Sequence, residues 1–238
     1  MDRFGGLDLT AVLPDAAAAQ LRDDGFTVLA PARSAPSIAA IAAAYDAAVA
    51  AADPRDIGGG RTTVRVWDFV NRGPAFDSLY LVEPVLAACR QVIGAPFKLS
   101  TMHSRTLNAR TPADTLHVDF ARQPQDLARE AWPMVGFIVM IDEFRSANGA
   151  TRFLPGSHRI IERSGPGEDV PACGPAASII VYNGSVWHGH GANTTDQPRR
   201  SIQGAYIRRD AKGFDLAARM LPDTLGRIAP LARYLLAL

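Results

Sequence analysis

Residues 178–190 read SIIVYNGSVWHGH. An apolar run rich in β-branched residues stops at Asn183-Gly184 and resumes at Val186 and Trp187, which is the pattern of two strands joined by a tight turn. Asn-Gly suits that turn because both residues tolerate a positive φ. The same punctuation recurs upstream, in SANGA at 146–150 and LPGSH at 154–158, where Asn-Gly and Pro-Gly again separate short apolar stretches. Strands are expected over 97–108, 134–142, 151–155, 178–183, 185–190 and 199–208. Several short strands at such intervals indicate a sandwich or a barrel.

The flanks read differently. PDAAAAQLRDDGF (14–26) has Pro14 near a helix start and Gly25 at its stop, and SAPSIAAIAAAYDAAVAAADP (34–54) opens with Ser and Pro and ends before Pro54. FDSLYLVEPVLAACRQVIGAP (76–96) spaces Leu79, Val82, Leu86 and Val92 on roughly one helical face, with Pro84 delaying the true start. Between the second and third helices, GGGRTTVRVWDFV (58–70) alternates and is expected to be extended after its glycine run. The tail DLAARMLPDTLGRIAPLARYLLAL (215–238) returns to helical character. A mainly β core between flanking helices follows, in one domain over 1–238 with a mainly helical flank at 1–95, the β core at 96–209 and a helical tail at 210–238.

Composition narrows the function. Hydrophobic residues are 47% and charged residues 21% of 238, ordinary for a globular chain with a full core. Twenty-five basic against twenty-four acidic side chains leave a net charge of +1, so no global field favours nucleic acid or an anionic membrane, and a small-molecule partner is expected. Cys89 and Cys173 stand far apart without a C-x-x-C pattern, which fits reduced thiols in a cytoplasmic protein better than a disulfide framework. The opening MDRFGGLDLTAVLPDAAAAQL is interrupted by Asp8, Pro14 and Asp15 and does not read as an export signal. Whether the chain is a monomer or a homodimer is left open by the apolar tail.

DTLHVDF at 114–120 places His117 and Asp119 two apart, so that in an extended segment both side chains face one way. A second cluster, VWHGHGANTTDQPRRS at 186–201, adds His188 and His190 and then Arg199, Arg200 and Ser201. In an antiparallel double-sheet fold, stretches remote in sequence stand side by side. His188, seventy-one residues after His117, can therefore join the pair. Two imidazoles and one carboxylate form the facial triad of non-haem Fe(II) oxygenases, which leaves three coordination positions open.

LHVDF, NGATRFLPGSH (148–158), WHGHGANTTDQPRRS and the early LRDDGFTVL (21–29) stand in the order of the phytanoyl-CoA dioxygenase-like branch of Fe(II)/2-oxoglutarate oxygenases, which the chain resembles from about Ala16 to Arg208. The resemblance implies a double-stranded β-helix (jelly-roll, cupin-like) core and an Fe(II) enzyme with 2-oxoglutarate and O2 as cosubstrates. Such an enzyme usually hydroxylates an unactivated C–H bond of a small molecule and releases succinate and CO2. It makes His117, Asp119 and His188 the metal ligands, with His190 as rival for the third place. It also implies that the arginine for the far carboxylate of 2-oxoglutarate follows the distal histidine by about eleven residues, the spacing from His188 to Arg199. A guanidinium makes two parallel hydrogen bonds to a carboxylate, and Ser201 could add a third while Arg200 faces the other way. Arg105 is a further cosubstrate candidate. Family members that transfer a halogen have a small residue in place of the carboxylate, so Asp119 favours oxygenation.

Other polar and aromatic residues have plainer readings. His103 is expected to be a core or pocket histidine, His158 and Asn148 turn residues, and Asn193 a turn-stabilising residue near the metal. Trp67, Phe120 and Trp132 could line a pocket, though aromatics more often pack in the core; the N-terminal helices, the Gly58–Phe69 segment and the loop from Ala121 to Pro133 are expected to form the pocket mouth. Two alternatives stay open: a cupin-like metal enzyme that does not use 2-oxoglutarate, and a non-catalytic jelly-roll binding protein.

Overall fold

Ten strands in two antiparallel sheets are present among residues 12–31, 34–160 and 167–238, which the computed structural model describes. The segment 1–11, on which part of the export-signal reading rests, lies outside them. In chain order the strands are β1 (Phe26–Leu29), β2 (Ile57–Gly59), β3 (Thr63–Val66), β4 (Phe97–Leu107), β5 (Met134–Met140), β6 (Thr151–Phe153), β7 (Val170–Pro171), β8 (Ile179–Asn183), β9 (His188–His190) and β10 (Arg199–Arg208). The helices are α1 (Asp15–Asp24), α2 (Ala35–Ala50), α3 (Glu83–Ile93), α4 (Pro124–Arg129), α5 (Pro222–Arg227) and α6 (Pro230–Leu235). The large sheet runs β1-β8-β5-β10-β4-β3-β2 and the small one β7-β6-β9. This is the mainly β, jelly-roll class with flanking helices.

All six expected strands and the three N-terminal helices form, with shifted ends. The stretch expected to be a strand over 185–190 narrows to His188–His190, because Ser185 and Val186 still belong to the turn: Asn183 Oδ1 accepts from the Ser185 amide at 2.9 Å and the Asn183 carbonyl from Val186 at 3.0 Å. Gly25, at φ 85°, stops α1, and FTVL continues directly as β1, paired to β8 with Phe26 opposite Tyr182. With β2 and β3, the N-terminal third thus supplies three strands of the large sheet. No helix among the described residues is long and apolar enough to cross a membrane.

Strand β5, MVGFIVM, is almost wholly buried. Val135, Phe137 and Val139 pack with the helices, α3 above all, while Ile138 and Met140 face the space between the sheets. A strand covered on both faces reads as a continuous apolar run. Strand β4 reaches the same end by a bulge. Ala205 pairs with Thr101 but Tyr206 pairs with Leu99, so Ser100 is skipped. That extra residue lets Phe97 and Leu99 join the helix-side core while Thr101, His103 and Arg105 line the cavity on the opposite face. A one-residue slip exchanges faces because the side-chain period is two.

Candidate active site

The His-x-Asp segment is not part of a sheet; it is docked onto the β8–β9 turn by backbone bonds. His117 and His188 exchange both N–H···O bonds at 2.8 Å, and the amides of Asp119 and Phe120 both donate to the Gly184 carbonyl at 2.9 Å. The convergence required by the sequence reading is therefore a direct pairing of the two stretches. One ligand atom from each of His117, Asp119 and His188 lies within 4.8 Å of the others. Asp119 Oδ1 is 3.9 Å from His117 Nε2, and its Oδ2 is 3.5 Å from His188 Nε2.

The tautomers suit metal binding. His188 Nδ1 is 2.9 Å from the Val186 carbonyl and His117 Nδ1 is 3.3 Å from that of Thr115. A carbonyl only accepts, so Nδ1 carries a proton in both rings, which leaves Nε2 as the atom that can offer a lone pair to a metal. Burial lowers the His188 pKa, against the pull of Asp119, which holds that imidazole neutral. The Tyr182 hydroxyl donates to Asp119 Oδ2 at 2.6 Å and so orients the carboxylate. Gly136 makes room for it, since a Cβ there would collide with the Tyr182 ring.

These groups open on a cavity of about 270 Å³, and Arg199, Arg105, Arg65, His103 and Trp67 line it too. Arg199 is only 1% exposed, lies over the Phe144 ring at 3.7 Å, and its Nε and Nη1 have no hydrogen-bond partner among the described residues. Burial, reinforced by Arg105, pushes its pKa down to about 9. Burial and then Arg65 bring Arg105 to about 10. Arg200 faces away, paired to Asp142 and Asp46, each at 2.7 Å.

His190 also reaches the cavity, as alternation with His188 requires. Its Nδ1 meets the Gly191 carbonyl at 2.9 Å, and its Nε2 is 3.8 Å from Asp114 Oδ2. Among the described residues the group able to share one ion contains His188 and not His190. Ser201 is fully buried, but its hydroxyl donates to the Arg105 carbonyl at 3.2 Å and it is not part of the cavity lining.

The donor set fits a divalent first-row metal, and an unpartnered buried guanidinium on the same wall fits a carboxylate ligand. A family model described as phytanoyl-CoA dioxygenase matches residues 21–201. The chain belongs to this family. As a phytanoyl-CoA dioxygenase family member it is 28% identical over 155 residues to dioxygenase sphC of Aspergillus fumigatus, an alignment covering 60% of this chain and 43% of that protein. It spans between about a quarter and a half of the curated relatives it matches. The epimerase SnoN, solved with Fe3+, alpha ketoglutarate and nogalamycin RO, shares the fold at a TM-score of 0.69 and 19% identity, over 87% of this chain and 90% of SnoN. HygX from Streptomyces hygroscopicus, solved with nickel and 2-oxoglutarate, gives 0.68 at 17% identity, over 84% and 88%.

In this phytanoyl-CoA dioxygenase family member, sequence reasoning missed Tyr182, Phe144 and Phe214. Tyr182 carried a faint signal, since its place in β8 sets it on the face of Ile180; for Phe144 and Phe214, both in loops, there was none. The expected pocket mouth is partly displaced. Trp67 lines the cavity, but the Ala121–Pro133 stretch, which contains α4, does not. Trp132 instead packs 5.3 Å from His158, and Phe120 is 37% exposed outside the lining. Asn148 and Asn193 hold turns and His158 has a structural role, tying its segment to the end of α1: His158 Nε2 bonds the Arg22 carbonyl at 3.1 Å, Asn148 Nδ2 that of Glu143 at 2.8 Å, and Asn193 Nδ2 those of Asn108 and Gln197 at 3.0 and 2.8 Å.

His103 lies against Trp67, with ring centroids 4.8 Å apart. Burial, then the charges of Arg65 and Arg105, pushes its imidazole down to about 3, against about 6.5 in an unfolded chain. The unfolded state therefore takes a proton that the folded state refuses. This contribution to stability is whole above pH of about 6.5 and is lost as pH falls toward about 3. His103 alone should contribute a loss on the order of 2 kcal/mol between pH 6.5 and 4.5 in urea melts, on top of that from His158, which burial brings to about 4, and His103→Gln should make the slope shallower by that share. An unchanged slope in the variant would remove His103 as its source.

Proposed function

We propose that the chain is an Fe(II)- and 2-oxoglutarate-dependent dioxygenase, a single catalytic domain that oxidises a small molecule, by hydroxylation of an unactivated C–H bond. His117, Asp119 and His188 would hold the metal, Arg199 the far carboxylate of 2-oxoglutarate, and Arg105 would reinforce the same anionic ligand. When bound, the metal and its cosubstrate supply the activation of O2 for oxidation of substrate carbon, with succinate and CO2 as coproducts. The protein's part follows from its own groups. The Val186 and Thr115 carbonyls fix both imidazoles with Nε2 toward the cavity. Tyr182 holds one carboxylate oxygen of Asp119, and the apolar packing between the two sheets, around Ile138, Phe153 and Ile180, keeps water from the inner end of the site.

The observation that carries this reading is Arg199. A guanidinium that is 1% exposed, with two nitrogens unsatisfied among the described residues, is costly unless a ligand completes it. Neither a cupin-like enzyme without 2-oxoglutarate nor a non-catalytic binding protein accounts for it beside a complete ligand set. The two free cysteines support the cytoplasmic part of the proposal, as a monomer or homodimer acting on a small molecule. Purified protein given Fe(II), 2-oxoglutarate and O2 without other substrate should release succinate slowly and only when Fe(II) is present. Binding of neither the metal nor 2-oxoglutarate, measured by calorimetry, would sink the reading.

A further inference from the structure

Three guanidinium groups, Arg65, Arg105 and Arg199, line one cavity. Arg199 is accounted for by the cosubstrate, and Arg105 Nη2 lies 3.9 Å from Asp114 Oδ2. Arg65 has no ion-pair partner among the described residues, and its buried Nε has no hydrogen-bond partner there. It stands directly opposite Arg105 in the β3–β4 register. Like charges at opposed positions repel, and in keeping with this Arg65 depresses the pKa of Arg105.

On the reading proposed above, on which this inference rests, a divalent cation and the dianion of 2-oxoglutarate cancel. Asp119 and Asp114 offset two of the three guanidinium groups, and His103 is neutral near pH 7. One positive charge remains, at Arg65, which is half-buried with its Nε shut off from water, and a charge so placed is stabilised by a partner. Two residues along β3's direction is Trp67, also in the cavity wall, 6.1 Å from the ring of Phe214, a large apolar side chain left 61% exposed at the rim. A cation therefore borders an aromatic ledge.

We propose that the substrate is a small amphipathic acid whose carboxylate is bound by Arg65 and whose apolar body lies against Trp67 and Phe214. The cavity of about 270 Å³ limits the part enclosed to a small body. The site would thus take two anionic ligands, the cosubstrate at Arg199 and the substrate at Arg65.

The test uses the full chain loaded with Ni(II) and 2-oxoglutarate, titrated by calorimetry with acid and amide pairs: 3-phenylpropionate, 4-phenylbutyrate and octanoate against their primary amides. At least one acid should bind about tenfold or more tightly than its amide, as a charge-assisted contact demands. In Arg65→Gln that preference should fall below about threefold while 2-oxoglutarate affinity stays near wild type; Arg65→Lys should keep part of the preference. The wild-type ratio needs no variant to fold. The proposal is overturned when no acid outbinds its amide, when the preference survives Arg65→Gln, or when that variant loses 2-oxoglutarate as Arg199 variants do, which would assign Arg65 to the cosubstrate. Failure of the wild type to bind 2-oxoglutarate before any acid is added would instead bring down the functional reading, and this proposal with it.

Discussion

Replacing Arg199 with methionine is expected to weaken 2-oxoglutarate binding by at least about a hundredfold, the equivalent of about 3 kcal/mol, while the ligand-free protein melts no lower than wild type. Both halves come from the same geometry. Among the described residues Arg199 has the largest fully buried side chain and its Nε and Nη1 are unsatisfied, and the flat face of its guanidinium rests on Phe144. A carboxylate taking two charge-assisted hydrogen bonds from it would gain about 1.5–3 kcal/mol from each. Without that ligand the charge is a liability, and an apolar side chain of similar length removes it at the cost of a cation–π contact worth about 1–2 kcal/mol. A residue kept for packing would behave oppositely, with melting temperature falling and ligand affinity following it. Arg199→Lys retains the charge but not the fork, and its affinity should lie between the two. Calorimetry of 2-oxoglutarate binding and thermal melts on the same samples separate these outcomes. Unaltered affinity in Arg199→Met would remove the anchor.

Legibility in the sequence followed physical locality. The Asn183-Gly184 turn and the alternation in 199–208 are local properties, and the strands they forecast are present. His117, Asp119 and His188 could be singled out because metal chemistry admits few residue types, and the extended backbone places residues two apart on one side. Arg199 and Arg200 separate in the same way, one into the cavity and one into the Asp142 and Asp46 pairs. What could not be read depends on register. The bulge at Ser100 decides that His103 and Arg105 face the site although Leu99 faces the helices, and no residue in KLSTMHS announces it. Tyr182 acquires its role only because Gly136, forty-six residues earlier, leaves space for its ring. Ser201 illustrates the converse: its spacing was suggestive, yet a nearer acceptor in the adjacent strand holds its hydroxyl.

The largest effect is expected at the metal ligands, where two neighbouring histidines supply an internal control. His188→Ala should lower metal affinity on the order of a hundredfold to a thousandfold, as the loss of one of few protein ligands does, and should abolish succinate release; Asp119→Ala should do the same. His190→Ala should leave metal affinity within about tenfold of wild type, because its Nε2 faces Asp114 at 3.8 Å while His188 Nε2 faces Asp119 at 3.5 Å. Tyr182→Phe lies between, at about a tenfold loss, since it removes one hydrogen bond that orients Asp119 and leaves all three ligands in place. Calorimetric titration of each variant with Ni(II) ranks them without reference to turnover. Equal losses in His188→Ala and His190→Ala would mean that both imidazoles share the ion. A loss confined to His190→Ala would shift the third ligand two residues along β9, away from the backbone pairing with His117 that defines the site. That pairing is why the order matters: His117 and His188 are held to one another by two main-chain bonds, so each imidazole is aimed by backbone and not only by its own rotamer. Substitution at either should therefore lose the metal before it loses the fold.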